Sequence, residues 1–224
     1  MQLLRNIIKK IIYTVPSSKV LMFHHVTEMP RLKKSGCLLA TEKFYEEIEM
    51  FHLYASLEDV IKHPERKKIA ITFDDGLEDL YTIAYPFLIE RNIPFTAFIV
   101  TDYIDKPGYI TKEQLVEMAK NPLVTIGSHG VSHKIFTEMR NSVKRYELIE
   151  SKRILEQITG KEVEIFAFSH GQYDKETLTL MDMYKYGMTV VERPLNIFTS
   201  YNKKSLPRYN IDNTTVDMVN RKLR

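Results

Sequence analysis

The sequence predicts an α/β fold built on a parallel barrel of the TIM type. Short apolar runs alternate with segments of helical periodicity along most of the chain, which is the order that a parallel sheet requires. Four of the apolar runs stop abruptly at histidine, aspartate or serine. In such barrels the carboxyl ends of the strands meet at one rim, where the reactive groups collect. These observations predict a barrel with a chemically active rim.

Size and composition are those of a single globular domain. The chain has 224 residues, of which 44% are hydrophobic and 27% charged, enough to bury a sizeable core. Its net charge of +3 comes from 32 basic and 29 acidic residues that are interleaved, so we expect no nucleic-acid partner. Cys37 is the only cysteine, which excludes a disulfide within these residues and a zinc–thiolate cluster. A lone cysteine is typical of a reducing compartment.

Residues 1–18 are predicted to form a basic amphipathic segment ahead of a barrel domain at 19–224. Arg5, Lys9 and Lys10 interrupt its hydrophobic runs, so it lacks the apolar core of a secretory signal and the length of a membrane span. One interpretation is a helix over residues 1–13 that lies on an anionic membrane surface. The other is a helix packed on the barrel. We expect a cytoplasmic protein, peripheral to the membrane under the first interpretation. The oligomeric state is not predicted.

The first half of the chain predicts three strand–helix steps. The apolar residues 69–73 predict a strand buried on both faces, and Gly76 permits a sharp turn after it. The other expected elements are a strand at 19–26, a helix at 41–52, a short strand–helix unit at 55–61, a helix around 80–88 and a strand at 94–100. The crossover between the strands at 69–73 and 94–100 should be right-handed.

The second half continues the alternation. A capping box at Thr111 and Gln114 opens a helix to about Lys120, and Gly160 is placed to stop a long helix that starts near residue 142. The remaining expected elements are strands at 123–127, 163–168 and 188–191, helices at 175–186 and 214–223, and an extended segment at 205–211.

The residues at the predicted strand ends favour a metal site. Asp74 and Asp75 are adjacent carboxylates that repel each other unless a proton, a partner or a metal compensates them; the alternative is a solvated Asp-Asp-Gly turn. His129 and His133 are four apart, so one helical turn or a tight loop places both imidazoles on one side; the alternative is two surface histidines. Two imidazoles and a carboxylate suit zinc, cobalt, nickel or iron rather than calcium.

Two motifs carry a resemblance to a known family. Thr72-Phe-Asp-Asp-Gly76, together with His129-Gly-Val-Ser-His133, resembles the polysaccharide deacetylases with NodB homology, carbohydrate esterase family 4, and the likeness spans about residues 20–211. It implies a distorted barrel with fewer than eight strand–helix repeats. It also implies a hydrolase that removes N-acetyl groups from an amino sugar of a bacterial surface polysaccharide or its precursor.

The same resemblance implies roles for individual residues. Asp75, His129 and His133 would hold a divalent metal, with zinc expected first and cobalt, nickel or iron as alternatives. Asp74 would be the catalytic base. Three other functions remain open on the same site, namely O-deacetylation, hydrolysis of another amide, and carbohydrate binding without catalysis.

The general acid is assigned from an early strand. Phe23-His24-His25-Val26 resembles the arrangement in the poly-N-acetylglucosamine deacetylase branch of the family, which implies that His24 protonates the leaving amine. His25 is the alternative. The Leu-Pro-Arg sequence at 206–208 resembles the same branch, and Arg208 is expected either to orient Asp74 from the last strand or to make a surface salt bridge.

One segment departs from the family pattern. Phe166-Ala-Phe-Ser-His-Gly171 has Ser169 where the family carries proline and His170 where it carries tyrosine. Because a backbone donor survives this change, activity is still expected, with an altered substrate pocket. We expect Ser169, His170, His25 and Arg208 to contribute to substrate binding.

Overall fold

A parallel sheet rolled into a barrel is the centre of the computed structural model, which describes residues 16–28, 37–196, 201–215 and 217. The strands are β1 (Ser17–Phe23), β2 (His25–Thr27), β3 (Leu38–Ala40), β4 (Ile69–Phe73), β5 (Phe95–Ile99), β6 (Val124–Ser128), β7 (Ile165–Ala167), β8 (Tyr186–Met188), β9 (Leu195–Asn196) and β10 (Tyr209–Asn210). The α-helices are α1 (Thr41–Glu49), α2 (Leu57–Lys62), α3 (Tyr85–Glu90), α4 (Lys112–Lys120), α5 (Asn141–Thr159) and α6 (Lys175–Thr179). A π-helical turn, Leu80–Ala84, leads directly into α3.

The strands of the barrel run in the order β10, β1, β4, β5, β6, β7 and β8, each parallel to its neighbours. The segment 206–211 joins the two edges of this sheet. The amide of Thr189 donates to the carbonyl of Leu206 (2.8 Å), and the amide of Ile211 donates to the carbonyl of Met22 (2.9 Å). The carboxyl ends of β1, β4, β5, β6, β7 and β8 therefore face one rim.

Alternate residues of the barrel strands enter two different cores. Leu21, Ile71 and Phe73 belong to the larger cluster, which includes buried residues of α1, α4 and α5. Val20, Ala70 and Phe98 belong to a second cluster with residues of β7, β8 and the segment at Leu206. Because side chains of a strand alternate between its faces, the first cluster lies between sheet and helices and the second fills the barrel interior.

Several sequence predictions are confirmed closely. The strand expected at 69–73 is β4, and all five of its residues are buried. The capping box at Thr111 and Gln114 is present at the start of α4, which ends at Lys120. Gly160 stops α5 with a left-handed backbone (φ 67°). The distorted barrel with its strands feeding one rim is the predicted fold class.

Four predicted elements have wrong bounds. The strand expected at 19–26 breaks at His24 into β1 and β2, and β2 pairs with β3 outside the barrel. The helix expected at 41–52 ends at Glu49. The helix expected at 175–186 ends at Thr179, and the strand expected at 188–191 is β8 at Tyr186–Met188. In this last region Met181 and Tyr184 are buried at helical spacing, yet they lie in turns that lead into the strand.

Some predictions fall on residues that the structure does not describe. The helix over residues 1–13 lies outside the described residues, as does most of the predicted helix at 214–223. Of the predicted segment 1–18, the structure describes residues 16–18, and β1 begins there at Ser17. Among the described helices, none has the length and apolar character needed to cross a membrane.

Candidate active site and metal centre

The rim of the barrel holds a pocket of about 590 Å³. Asp74 and Asp75 follow β4, His129 follows β6, and His24 follows β1. All four of these residues line the pocket. The remaining lining residues are Met22, His25, Cys37, Leu77, Tyr109, His133, Phe168, His170, Val190 and Asn210. The fold therefore collects the histidines and aspartates of the predicted strand ends in one place.

Asp75, His129 and His133 form a compact set of three metal-ligating side chains. One ligand atom from each lies within 4.8 Å of the others. Oδ1 of Asp75 is 3.2 Å from Nε2 of His133 and 3.5 Å from Nε2 of His129. Nitrogen and oxygen ligands about 2.0–2.1 Å from a tetrahedral zinc ion are separated from each other by about 3.3 Å. The two distances to Asp75 thus match the spacing of ligands that share one ion, and the two imidazole nitrogens lie within 4.8 Å of each other.

Two further observations fit a cation at this position. Oδ1 of Asp75 is buried and makes no hydrogen bond with the described residues, and a buried polar atom of this kind requires a partner. Nδ1 of His129 is 2.8 Å from the carbonyl oxygen of Ala167. A proton on Nδ1 satisfies that carbonyl and leaves Nε2 with a free lone pair that faces Asp75. The residues present therefore suit a divalent metal.

The electrostatics of the three side chains agree with this arrangement. Burial alone would raise the pKa of the Asp75 carboxyl, but the neighbouring imidazoles of His129 and His133 hold it below its usual range. Burial lowers the pKa of His129, and the carboxylates of Asp74 and Asp75 outweigh this effect and raise it. The carboxylates of Asp74 and Asp75 thus place negative charge beside the two imidazoles, and this charge favours a cation there.

The backbone is strained at several residues of the site. Asp75, His133 and His170 have positive φ angles of 74°, 59° and 56°, a region that residues with a Cβ adopt rarely. Gly76 continues the left-handed turn with φ 72°. Strained conformations of this kind persist where surrounding structure enforces them and cluster at functional sites.

Asp74 is held by Arg208 in the interior of the barrel. The terminal guanidinium nitrogens of Arg208 donate to Oδ1 and Oδ2 of Asp74 at 2.6 and 2.8 Å. Nε of Arg208 donates to the carbonyl of Thr189 (3.0 Å), and the guanidinium lies 5.3 Å from the centre of the Phe98 ring. Although burial opposes ionisation, Arg208 and the nearby imidazoles hold the pKa of Asp74 below its ordinary value.

This geometry decides between the two expectations for Arg208. Its side chain is 0% exposed, so it orients Asp74, and the surface salt bridge is wrong. The guanidinium does not line the pocket, and the expectation that Arg208 contributes to substrate binding stays a prediction. A 134-residue separation between the two partners is bridged because the segment 206–211 lies beside β1.

His24 and His25 lie next to each other but differ in environment. Both line the pocket. Nδ1 of His24 is buried without a hydrogen-bond partner among the described residues, and burial lowers the pKa of this imidazole, against the pull of Asp74 and Asp75. Nδ1 of His25 is 2.7 Å from Oδ2 of Asp79, four residues after Asp75. Nδ1 of His25 is thus engaged by Asp79, whereas Nδ1 of His24 has no such partner among the described residues.

Ser169 and His170 occupy different positions relative to the pocket. The Ser169 side chain is buried, and its hydroxyl donates to the carbonyl of His129 (3.3 Å). It does not line the pocket, and its expected contribution to substrate binding stays a prediction. His170 is exposed and lines the pocket, with its ring centre 4.8 Å from that of His133.

The sequence interpretation missed Glu147, on α5. This carboxylate is only 3% exposed and accepts hydrogen bonds from the amides of Val131 and Ser132 at 2.6 and 2.9 Å and from the Ser132 hydroxyl at 2.6 Å. It therefore fixes the loop between His129 and His133. A Cβ on Gly130 would lie 3.0 Å from Oε2 of Glu147, which explains a glycine in this loop. The available signal was an acidic residue on the inward face of α5, four residues before Ser151 and eight before Leu155.

Comparison with protein families gives one match. A family model described as polysaccharide deacetylase matches residues 61–191, which is more than half of the chain. The matched region begins in α2 and includes both the Asp-Asp-Gly motif and the two imidazoles of the metal centre.

Curated relatives and solved structures agree with that match. A Bacillus subtilis protein, YxkH, whose name refers to polysaccharide deacetylases, is 31% identical over 59% of this chain and 47% of its own length; the chain thus aligns with about half of that relative. A Staphylococcus epidermidis poly-beta-1,6-N-acetyl-D-glucosamine N-deacetylase is 25% identical over 83% of this chain and 76% of its own length. The structure of the Streptococcus pyogenes deacetylase PplD in complex with acetate superposes with a TM-score of 0.82 at 22% identity, over 94% of this chain and 100% of PplD.

Proposed function

The chain belongs to the polysaccharide deacetylase family, and on that premise we propose that it is a metal-dependent hydrolase that removes N-acetyl groups from an amino sugar. The observation that carries the proposal is the position of Asp74. This carboxylate lies beside the Asp75–His129–His133 set in one pocket, with its Oδ2 atom 3.8 Å from Nε2 of His129. A binding protein that performs no hydrolysis has no need of a buried, ionised carboxylate in that position.

The proposed substrate is a bacterial surface polysaccharide or its precursor. Relatives from staphylococci are named for deacetylation of poly-beta-1,6-N-acetyl-D-glucosamine, and their names support an N-acetylated hexosamine polymer as the substrate here. The pocket is open enough for an interior sugar of a polymer because its lining includes exposed groups such as His170.

The proposed ligands of the metal are Asp75, His129 and His133, with zinc as the first candidate. Mixed nitrogen and oxygen donors of this kind are typical of zinc, cobalt, nickel and iron sites. When bound, such an ion supplies Lewis acidity, which polarises an acetamide carbonyl and makes a water molecule more acidic. The chain's own residues perform the remaining tasks.

We assign to Asp74 the role of general base. Arg208 keeps its carboxylate ionised and fixes its orientation, so that it is ready to accept a proton from the attacking water. A carboxylate held in this way is a weak base, so it would need the acidifying effect that an ion held by Asp75, His129 and His133 would supply. Pre-orientation by a two-bond contact lowers the entropic cost of reaching the reactive geometry.

We assign to His24 the role of general acid. When the tetrahedral intermediate collapses, the leaving amine requires a proton before the carbon–nitrogen bond breaks. His24 lines the same pocket as Asp74 and has a ring nitrogen that is not committed to another group among the described residues. The backbone amide of His170, at the position implied by the family resemblance, is the proposed donor to the developing oxyanion.

The proposal is tested by measuring acetate release together with metal content. The purified chain is loaded with zinc or cobalt and incubated with N-acetylhexosamine oligomers, and in parallel with O-acetylated sugars. Asp74→Asn is the inactive comparison, because it removes the base and keeps the size of the side chain. Asp182→Asn, at an exposed position outside the pocket, is the matched control.

The proposal predicts acetate from N-acetylated oligomers with the unaltered chain and with Asp182→Asn, and a loss of at least about 100-fold with Asp74→Asn. If acetate were released only from O-acetylated sugars, the proposed activity would be O-deacetylation instead of N-deacetylation. Metal-loaded protein that releases no acetate from either substrate would overturn the enzymatic role.

A further inference from the structure

Four rings form a continuous arc along one side of the metal centre. The ring centres of Tyr109 and Tyr103 are 4.6 Å apart, those of Tyr103 and His133 are 6.2 Å apart, and those of His133 and His170 are 4.8 Å apart. His133 belongs to the metal set, so the arc passes the proposed reaction centre, and the two tyrosines extend it to one side. Tyr109 lines the pocket.

The two tyrosines of the arc do not belong to the hydrophobic core. Both are partly exposed, and within the described residues neither packs on the two core clusters, although other half-buried tyrosines such as Tyr45 and Tyr85 do. Tyr109 lines the pocket, and aromatic side chains beside a polar pocket are typical of ligand sites. Tyr103 is not among the lining residues; it packs against Tyr109, with Nζ of Lys106 5.4 Å from the centre of its ring. Packing of the barrel core therefore does not explain why these two positions carry tyrosines.

The loop that carries the tyrosines is fixed to the Asp-Asp-Gly turn. Leu77 and Tyr109 form an antiparallel β-bridge. The amide of Glu78 donates to the carbonyl of Gly108 (3.0 Å), and the amide of Ile110 donates to the carbonyl of Gly76 (3.0 Å). Because Gly76 follows Asp75 directly, these bonds hold the Tyr109 ring at a set distance from the proposed metal ligand. A preorganised surface of this kind loses little entropy when it binds.

We propose that Tyr109, packed against Tyr103, forms a subsite for the sugar next to the one that is deacetylated. This inference rests on the proposed function and specifies how the polymer is bound. A pyranose ring has an apolar face of C–H groups, which an aromatic ring can cover while the sugar hydroxyls remain in water. The occupant is a neighbouring N-acetylhexosamine of the same chain, and its contact with the tyrosine pair positions the reacting acetamide at Asp74 and the metal set.

The subsite predicts a dependence on substrate length. A monosaccharide occupies the reaction centre alone, whereas a β-1,6-linked tetramer also reaches the tyrosines. Tyr109→Ala should raise KM for the tetramer about 5- to 10-fold, which corresponds to about 1–1.4 kcal/mol of lost stacking. KM and kcat for the monosaccharide should stay within about 2-fold of the unaltered chain. Tyr109→Phe keeps the ring and should behave as the unaltered chain on both substrates.

Tyr146→Ala is the matched control, because Tyr146 is 57% exposed on α5 and lies outside the pocket. Equal losses on monosaccharide and tetramer in Tyr109→Ala, or no loss on either, would overturn the subsite. If Tyr109→Ala does not fold, Tyr103→Ala and Tyr109→Leu take its place. They are judged by the same comparison, namely the change in KM for the tetramer against the change in KM for the monosaccharide.

A binding measurement separates this inference from the proposed function. Asp74→Asn binds the tetramer without turning it over, and the dissociation constant is measured with and without Tyr109→Ala. Weaker binding of about 5- to 10-fold in the double variant supports the subsite even if the unaltered chain releases no acetate. Unchanged binding in the double variant overturns the subsite while leaving the deacetylase assignment to the acetate assay.

Discussion

Arg208 and Asp74 form a buried, two-bond ion pair that joins the last segment of the barrel to the Asp-Asp-Gly motif. The nitrogen–oxygen distances are 2.6 and 2.8 Å, and the two side chains are 0% and 3% exposed. A buried pair of charges contributes little net stability over an apolar pair of the same size. Its presence is better explained by the need to keep one carboxylate ionised and fixed at the edge of the pocket.

Replacing Arg208 with lysine tests that explanation. Arg208→Lys keeps the positive charge but cannot make two parallel bonds to one carboxylate. We expect kcat to fall about 10- to 100-fold through misplacement of Asp74, with KM nearly unchanged, and the chain to lose about 1–3 kcal/mol in its free energy of unfolding. Steady-state acetate release and urea unfolding measure the two effects. Arg153→Lys, on the exposed side of α5, is the control, and an unchanged kcat in Arg208→Lys would contradict the positioning role.

A second ion pair predicts how stability depends on pH. Asp174 caps α6 through the amide of Thr177 (2.8 Å) and contacts the ammonium group of Lys144, which is buried on α5. Burial opposes ionisation, but these contacts lower the pKa of Asp174 to about 2. The unfolded chain has the higher pKa, about 3.9. The stabilisation from Asp174 is therefore fully present above about pH 4 and is lost as pH falls toward about 2.

Asp174→Asn isolates this contribution. The asparagine can still cap α6, but it carries no charge to pair with Lys144. We expect the difference in free energy of unfolding between the unaltered chain and the variant to be largest near neutral pH and to shrink as the solution is acidified below about pH 4. Urea unfolding at a series of pH values measures it. A difference that stays constant across the series would mean that the cap, and not the charge, is responsible.

His24 and His25 can be distinguished by parallel substitutions. Removing a general acid typically lowers kcat by about 10²- to 10⁴-fold, so we expect this loss in His24→Gln and a smaller one in His25→Gln, whose ring is engaged by Asp79. Neither residue belongs to the metal set, so metal content should be unchanged in both variants. Acetate release and elemental analysis provide the two readouts. The opposite order of losses would transfer the acid role to His25.

The sequence predicts the site well where function coincides with strand ends. Asp74 and Asp75 follow an apolar run whose length and composition predict a buried strand, and the residues of β4 were located without error. The same logic brings His129 to these carboxylates, because parallel strands present their carboxyl ends together. The choice of Asp75 as metal ligand and Asp74 as base came from the family resemblance. Functional residues that lie at the ends of strands can therefore be predicted from the sequence.

Contacts that form only when the barrel closes are harder to predict from the sequence. Arg208 meets Asp74 only because the segment 206–211 lies between β8 and β1, and no local pattern encodes a neighbour 134 residues away. The Arg208–Asp74 contact was expected only from the family resemblance. The prediction that the helix after Lys175 continues to Tyr186 was wrong, because packing decides the structure of that region. Met181 and Tyr184 have helical spacing, but they reach the core from turns, and tertiary packing overrides the local preference.

The final prediction concerns the contribution of Glu147 to metal affinity. Its carboxylate holds the amides of Val131 and Ser132 and thereby fixes the loop that places His133 beside Asp75. Glu147→Gln keeps the length of the side chain and can keep one oxygen on both amides, but it removes the negative charge that strengthens these hydrogen bonds. Partners that orient metal ligands typically contribute 10- to 100-fold to affinity, so we expect zinc to bind about that much more weakly, as measured by competition with a chromogenic chelator.

Ser132→Ala is the matched comparison for Glu147→Gln, because it removes the hydroxyl that donates to Oε1 at 2.6 Å and leaves both backbone contacts in place. Its zinc affinity should remain within about 3-fold of the unaltered chain, since the backbone amides alone fix the loop. The metal-free forms of both variants should keep the thermal unfolding transition of a folded domain, which separates a positioning effect from global unfolding. Equal zinc affinities for Glu147→Gln and the unaltered chain would show that the His129–His133 loop holds its shape without this carboxylate.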